Sequence, residues 1–172
     1  MPPFSGNPGV QTVDNFETAL FGPFTQVLQR DVTEFKPYVF QIFAQLLEMR
    51  KGHGVSPNYW NLFQPCLQNT IWTKGNTPAL ARLLTSYLVV DATTIVAQNQ
   101  LQAVLGCWQK AQSMLSTQSS GFELLTAIVV HVSTVRPVSF RPWLFFGCPW
   151  LFFVVLCLSS VVLFKVRLND VH

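Results

Sequence analysis

The stretch Asp31–Met49, DVTEFKPYVFQIFAQLLEM, decides how the chain reads. Phe35, Val39, Ile42, Phe43, Leu46 and Leu47 recur at steps of three and four, which places them on one face of a helix. That face is too apolar and too aromatic to remain in water, and a single helix cannot cover it. Asp31 with Glu34 three positions later is a capping-box pattern for its start, with Pro37 pushing the regular part later. Arg50 and Lys51 follow where the negative end of the helix dipole favours cations, and Gly52 or Gly54 supplies the left-handed exit.

Upstream, Asp14 with Glu17 repeats the cap signal, and Phe16, Leu20, Phe21, Phe24, Val27 and Leu28 form a stripe to about Gln29 that Gly22-Pro23 interrupts. Downstream, Ser56-Pro57 opens a third helix marked by Tyr59, Trp60, Leu62, Phe63, Cys66 and Leu67 and running toward Ile71-Trp72. After the turn Lys74-Gly75-Asn76, Thr77-Pro78 opens a fourth, with Leu80, Leu83, Leu84, Tyr87 and Leu88 as its stripe. A pause around Asp91–Thr94 precedes a fifth helix predicted over about Ile95–Leu115, with Leu101, Val104, Leu105, Trp108 and Leu115 apolar. Ser119-Ser120-Gly121 is read as a break, and Phe122, Leu125, Ile128, Val129 and Val132 as the stripe of a sixth. The expectation is an all-α fold of about three helix pairs, starting near Asp14, Ser56 and Ile95. A spacing of about 40 residues suits the HEAT or armadillo type of helical-repeat solenoid. No residue-level repeat is visible, so periodicity alone leaves a plain helical bundle equally open.

Composition bounds the chemistry. The 172 residues suit one domain, and 49% apolar content is ample for a core. Only 11% of residues are charged, against about 25% in ordinary globular domains. Residues 1–134 hold seven basic and seven acidic side chains, so the net charge of +3 belongs wholly to the remainder. A neutral body offers nothing to hold phosphates, which argues against nucleic-acid binding. Cys66, Cys107, Cys148 and Cys157 are widely spaced and read as lone buried thiols of a reducing compartment. His53, His131 and His172 stand at no metal-ligand spacing. No G-x-S-x-G motif, phosphate-cradling Gly loop or pair of carboxylates in an apolar setting is present, so no catalytic, cofactor or metal residues are expected. Tyr59, Trp60, Phe63 and Trp72 could be taken for a base-stacking platform, yet without basic neighbours they read as packing between helices. Arg82, on the polar side of its helix, is a candidate partner of a nearby carboxylate or of another protein.

Three stretches carry a resemblance. They are Phe16–Met49, FETALFGPFTQVLQRDVTEFKPYVFQIFAQLLEM; Ser56–Leu84, SPNYWNLFQPCLQNTIWTKGNTPALARLL; and Gly121–Val132, GFELLTAIVVHV. Together, and above all in the W…GN-x-PAL-x-RLL pattern from Trp72 to Leu84, they resemble the exportin-2 (cellular apoptosis susceptibility) family over about residues 12–133. The resemblance implies a HEAT solenoid, here about three repeats from the middle-to-late part of a much longer superhelix. It implies a transport receptor of nucleus and cytoplasm whose partners are importin-α and Ran-GTP, without cofactor. It assigns no individual residue to either partner. Two local departures are a shorter turn after Trp72 and Glu123 where the family tends to have tyrosine.

The ends read differently. Residues 1–11, MPPFSGNPGVQ, lack a basic region followed by an apolar run, and are expected to be a disordered lead-in rather than a signal peptide. Residues 135–142 read as a linker, 143–164 as an apolar segment and 165–172 as a polar tail. Trp143–Phe164 carries no charge and would span about 33 Å as a helix, enough to cross a bilayer. It reads either as the carboxy-terminal anchor of a small membrane protein with a helical scaffold head, or as translated intron. Its Phe, Leu, Val, Cys and Trp content without Ala or Ile fits T- and G-rich codons. Under the first reading the chain would sit at a membrane, such as the nuclear envelope.

Overall fold

The computed structural model describes residues 8–135, with side chains from Thr12 onward. The expectations for residues 1–7, the 135–142 linker beyond its first residue, the 143–164 segment and the 165–172 tail lie outside the described residues. Six α-helices follow one another: α1 Pro8–Gln29, α2 Lys36–Glu48, α3 Pro57–Cys66, α4 Thr77–Ala97, α5 Leu101–Gln112 and α6 Gln118–Val135. Two single 3-10 turns, Asn69–Ile71 and Leu115–Thr117, sit after α3 and after α5. No strand occurs among the described residues.

The helices form three pairs, α1/α2, α3/α4 and α5/α6, and the second member of each pair stacks on the second member of the next. Helix α4 lies between α2 and α6 and packs on both, while α5 rests on α6 and α4. This is the all-α helical-repeat arrangement that the sequence predicts. Its second and third pairs begin at Pro57 and Leu101, the latter six residues beyond the Ile95 expected. Among the described residues α4 alone is long and apolar enough to cross a membrane by length and composition. Its neighbours explain that apolarity: Leu80, Leu83, Leu84, Tyr87 and Leu88 are all buried in the shared core.

Several boundaries differ from the sequence expectation, each for a local reason. Helix α1 begins at Pro8, so Asp14 and Glu17 lie within it and cap nothing. The helix also runs on through Pro23. Gly22 precedes that proline, and a residue without a Cβ there avoids most of the clash that normally drives the pre-proline position out of the helical region. Asp31 does not open α2; it closes α1. With φ at +57° it receives the left-handed exit, Asp31 N–H donating to Leu28 O and Val32 N–H to Val27 O. Phe35 is then the first flanking residue of α2, with Pro37 in the first turn. Gly52 and Gly54, at φ +88° and +77°, carry the chain away after α2.

Helix α3 ends at Cys66, short of Ile71-Trp72, and Asn76 rather than Thr77 flanks the start of α4. The pause at Asp91 is a kink inside α4, where Asp91 takes φ −153° and ψ 65°. Its carboxylate caps the segment beyond, accepting from Thr94 N–H at 3.0 Å and Thr94 Oγ1 at 2.7 Å. The predicted fifth helix is therefore split. Asn99 at φ +56° closes the segment after the kink, and α5 starts afresh at Leu101. Ser119-Ser120-Gly121 is no break but the first turn of α6. Gly121 lies where α6 meets the end of α5: a Cβ there would come 2.7 Å from Gln112 Nε2, the movable end of a side chain, and 3.4 Å from the Ala111 Cβ.

Candidate functional site

Each residue singled out from the sequence has a place in the packing. Tyr59, Phe63 and Trp72 are buried, and Trp60 is half-buried against them. Tyr59, Trp60 and Phe63 belong to an aromatic spine that crosses from the first pair to the second. Phe21 of α1 stacks on Phe43 of α2 at 4.6 Å between ring centres, Phe43 meets Tyr59 of α3 edge-on, and Tyr59 meets Tyr87 of α4. Two hydroxyls lock the spine to the backbone. Tyr59 Oη donates to Phe43 O at 2.9 Å and Tyr87 Oη to Tyr59 O at 2.5 Å. Burial pushes both phenols well above their ordinary range, so they remain protonated donors. Trp72 Nε1 likewise donates to Cys66 O at 3.0 Å. The platform reading fails on geometry: Tyr59, Trp60 and Phe63 pack edge-on against neighbouring rings and Trp72 is buried, so none is offered to a ligand as a stacking face.

The thiols and imidazoles fit no reactive constellation. Cys66 and Cys107 are buried and unpaired. Cys107 Sγ lies 3.6 Å from Leu67 O, tying α5 to the end of α3. Burial pushes the Cys107 thiol up to about 11, and burial with Cys107 nearby pushes Cys66 higher still. Neither is a thiolate at neutral pH. His131 is held below its usual range by burial and by the Lys51 charge. His53 is exposed, and no three His, Cys, Asp or Glu among the described residues stand together as a metal site. His172, Cys148 and Cys157 lie outside the described residues.

Arg82 does pair with a carboxylate. Its Nε and Nη2 reach Glu48 Oε1 and Oε2, both at 3.0 Å, and Ser86 Oγ adds a third donor at 3.2 Å. This fork holds Glu48 below its usual pKa despite partial burial, and it joins α4 to α2 at the surface. A second ionic tie, invisible in the sequence, is more buried. Arg50 Nη1 lies 2.9 Å from Glu17 Oε1 and also contacts Asp14, while Ser56 Oγ donates to Glu17 Oε2 at 3.0 Å. The residues read as a helix cap thus meet the basic residue read as a dipole partner, 33 and 36 positions away. Arg50 Nε additionally donates to Gly54 O at 3.3 Å, so one side chain fastens α1, the exit from α2 and the entry to α3.

What the described surface offers is shape and apolar side chains rather than chemistry. Phe35, Tyr38 and Met49 are exposed by 60%, 63% and 66%, and with Ile42 and Gln45 they follow steps of three and four along α2. Phe35, expected on the buried face, therefore belongs to a second stripe; the buried face is Val39, Phe40, Phe43, Ala44, Leu46 and Leu47. Phe16 of α1, Phe122 of α6 and Leu115 are also exposed, against the sequence expectation. The periodicity could not separate these because all of them fit a helical spacing.

Known proteins with this pattern share a description. The family described as CAS/CSE protein, C-terminus, matches residues 4–139, a span slightly wider at both ends than the 12–133 expected. Exportin-2 of Danio rerio is 39% identical over 137 residues, which cover 78% of this chain and 14% of that protein. Exportin-2 of Xenopus laevis is 43% identical over 123 residues, and that of Homo sapiens 40% over 136. The chain thus spans about one seventh of the length of these relatives. No solved structure matches it.

Proposed function

The chain belongs to the CAS/CSE carboxy-terminal family, and from that membership we propose that it works as a segment of a nuclear transport receptor of the exportin-2 kind. In this reading it shuttles between nucleus and cytoplasm and takes part in the Ran-GTP-dependent return of importin-α from the nucleus. The observation that carries the proposal is identity near 40% over about three quarters of the chain. The helical-repeat arrangement supports it physically. Stacked pairs in contact with their neighbours form a continuous, slightly deformable surface, which is what a receptor that closes around a folded cargo requires. The reading of action by contact rather than by catalysis is supported by Cys66, Cys107, Tyr59 and Tyr87, which are buried and protonated.

The test is capture of purified importin-α on the immobilised chain with Ran loaded with GTP or with GDP. The expected result is retention only with the GTP form, more weakly than on a full-length Exportin-2 because one seventh of the surface is present. Equal retention with both nucleotides, or none with either at protein concentrations where full-length Exportin-2 is saturated, would sink the proposal.

A further inference from the structure

Two places in the sequence set a hydroxyl directly before a proline, Ser56-Pro57 and Thr77-Pro78. The fold treats them differently. Thr77 is fully buried, and its Oγ1 donates to Thr73 O at 2.8 Å. Ser56 is half-buried at the end of the connection from α2 to α3, close after the exposed Lys51, Gly52 and His53. A following proline disfavours the helical region, and Ser56 takes an extended backbone at φ −71° and ψ 157°. A Cβ built on Gly52 or Gly54 meets nothing within 4 Å, so this connection stands clear of the packed core. An extended hydroxyl residue with proline beside it, on such a connection, has the shape that a kinase active site accepts.

The Ser56 hydroxyl does not cap α3; it donates to Glu17 Oε2 at 3.0 Å. There it joins a cluster in which one guanidinium, that of Arg50, serves two carboxylates, Glu17 and Asp14. The cluster is thus short of positive charge before anything is added, and only 5% of the Glu17 side chain is exposed. A phosphate on Ser56 would bring a further charge of about −1.5 to −2 and could no longer donate to Glu17. The start of α3 favours an anion through its dipole and its free N–H groups. The phosphate is therefore drawn toward α3 and repels Glu17, which belongs to α1. Helix α1 is packed more lightly against α2 than α4 is, so α1 is the element that yields.

We propose that Ser56 is a phosphorylation site for kinases that require proline after the acceptor, and that its phosphate releases α1 from the joint between the first two helix pairs. In the step, the bond between the γ-phosphorus of ATP and its bridging oxygen breaks, and a bond from that phosphorus to Ser56 Oγ forms. The hydroxyl proton passes to the base of the kinase, and ADP leaves. Arg50 then turns from Glu17 toward the phosphate, and Glu17, buried without its cation, moves out with the helix that carries it. This stands whether or not the chain binds importin-α or Ran.

The experiment treats the full 172-residue chain with a purified cyclin-dependent kinase and ATP, beside a free peptide of residues 51–62. Peptide mass spectrometry is expected to find phosphate on Ser56 and none on the buried Thr77. Hydrogen exchange of the α1 amides is expected to quicken at least tenfold on phosphorylation, with α4 unchanged. Ser56→Ala should abolish both the incorporation and the change. Glu17→Gln should still be phosphorylated, yet its α1 should quicken less than threefold over its own unphosphorylated form, because the like charge is gone. A merely structural Ser56 would not give that difference between the two backgrounds. The proposal is overturned if Ser56 stays unmodified while the free peptide is phosphorylated to completion. It is overturned too if Thr77 is modified as fully as Ser56, since the kinase then acts on unfolded chain. Unchanged α1 exchange, or equal loosening in Glu17→Gln, would also overturn it.

Discussion

Asn99 and Asp31 share a left-handed backbone, at φ +56° and +57°, each just past a helix end. A side chain with a Cβ costs about 1–2 kcal/mol there unless, as with Asn and Asp, local hydrogen bonding offsets it. Asn99→Ala should therefore cost about 1 kcal/mol of unfolding free energy, and Asn99→Gly almost nothing, as read by urea denaturation. Equal costs for the two would mean the side chain, not the backbone, is what matters. At Asp91 the acid-dependent effect has a definite sign. Burial alone would raise its pKa, yet the Thr94 and Thr93 donors hold it below the usual value. A carboxylate depressed in the folded state stabilises above its unfolded pKa, and the contribution fades as pH falls through the folded value. Asp91→Asn should thus flatten the loss of stability as pH falls below about 4, while Asp91→Ala costs about 1 kcal/mol at neutral pH and less in acid. The buried thiols give a third outcome. Iodoacetamide at pH 8 should leave Cys66 and Cys107 unlabelled in the folded chain and label both in denaturant, scored by peptide mass spectrometry. Labelling of either in the native chain would contradict the burial described above.

At the scale of elements, the two ionic ties join helices in different ways and should behave differently. Arg82 and Glu48 leave 46% and 42% of their side-chain surface in water, whereas Arg50 and Glu17 leave 11% and 5%. Exposed pairs are worth roughly 0–1 kcal/mol, while stripping the partner from a buried charge costs about 3–5. Arg50→Met, which strands Glu17, should therefore destabilise by about 3 kcal/mol, and Arg82→Met by under 1. Thermal unfolding of the two variants side by side decides this, and a larger loss at Arg82 would reverse the assignment of which tie holds the pairs together. The spine is a joint of another kind. Tyr59→Phe or Tyr87→Phe removes one buried hydrogen bond each and should cost about 1 kcal/mol, with ring packing retained. Helix α4 was legible as an element because the proline in its first turn and its apolar stripe agree. The kink at Asp91 was legible only as a pause, since an aspartate followed by two threonines fits both a loop and a cap inside a bent helix. The fifth helix was misplaced for a related reason: Ile95 and Val96 are apolar in the right rhythm, and only the exit at Asn99 assigns them to α4.

For the molecule as a whole, the exposed stripe of Phe35, Tyr38 and Met49 on α2 and the exposed Phe122 and Val130 on α6 mark the two ends of the stack. In a repeat protein each pair relies on its neighbours, and the end pairs are short of one. A fragment of residues 8–135 should accordingly be marginal or self-associating, with an unfolding midpoint that rises with protein concentration. Tyr38→Lys with Phe122→Lys should raise the monomer fraction in sedimentation. A sharp, concentration-independent transition of the unmodified fragment would oppose this. By itself the sequence determined the class of fold, the number of helices among the described residues, the starts of α3 and α4 and the apolar stripe of α4. Those follow from periodicity and from caps and prolines a few residues apart, which are local signals. It did not determine which of several apolar stripes faces inward, because Phe16, Phe35 and Phe122 keep helical rhythm as faithfully as the buried residues do. Nor could it join Asp14 and Glu17 to Arg50, or Glu48 to Arg82. Those pairings lie some 30 positions or more apart, and only the stacking of one helix pair on the next brings them together.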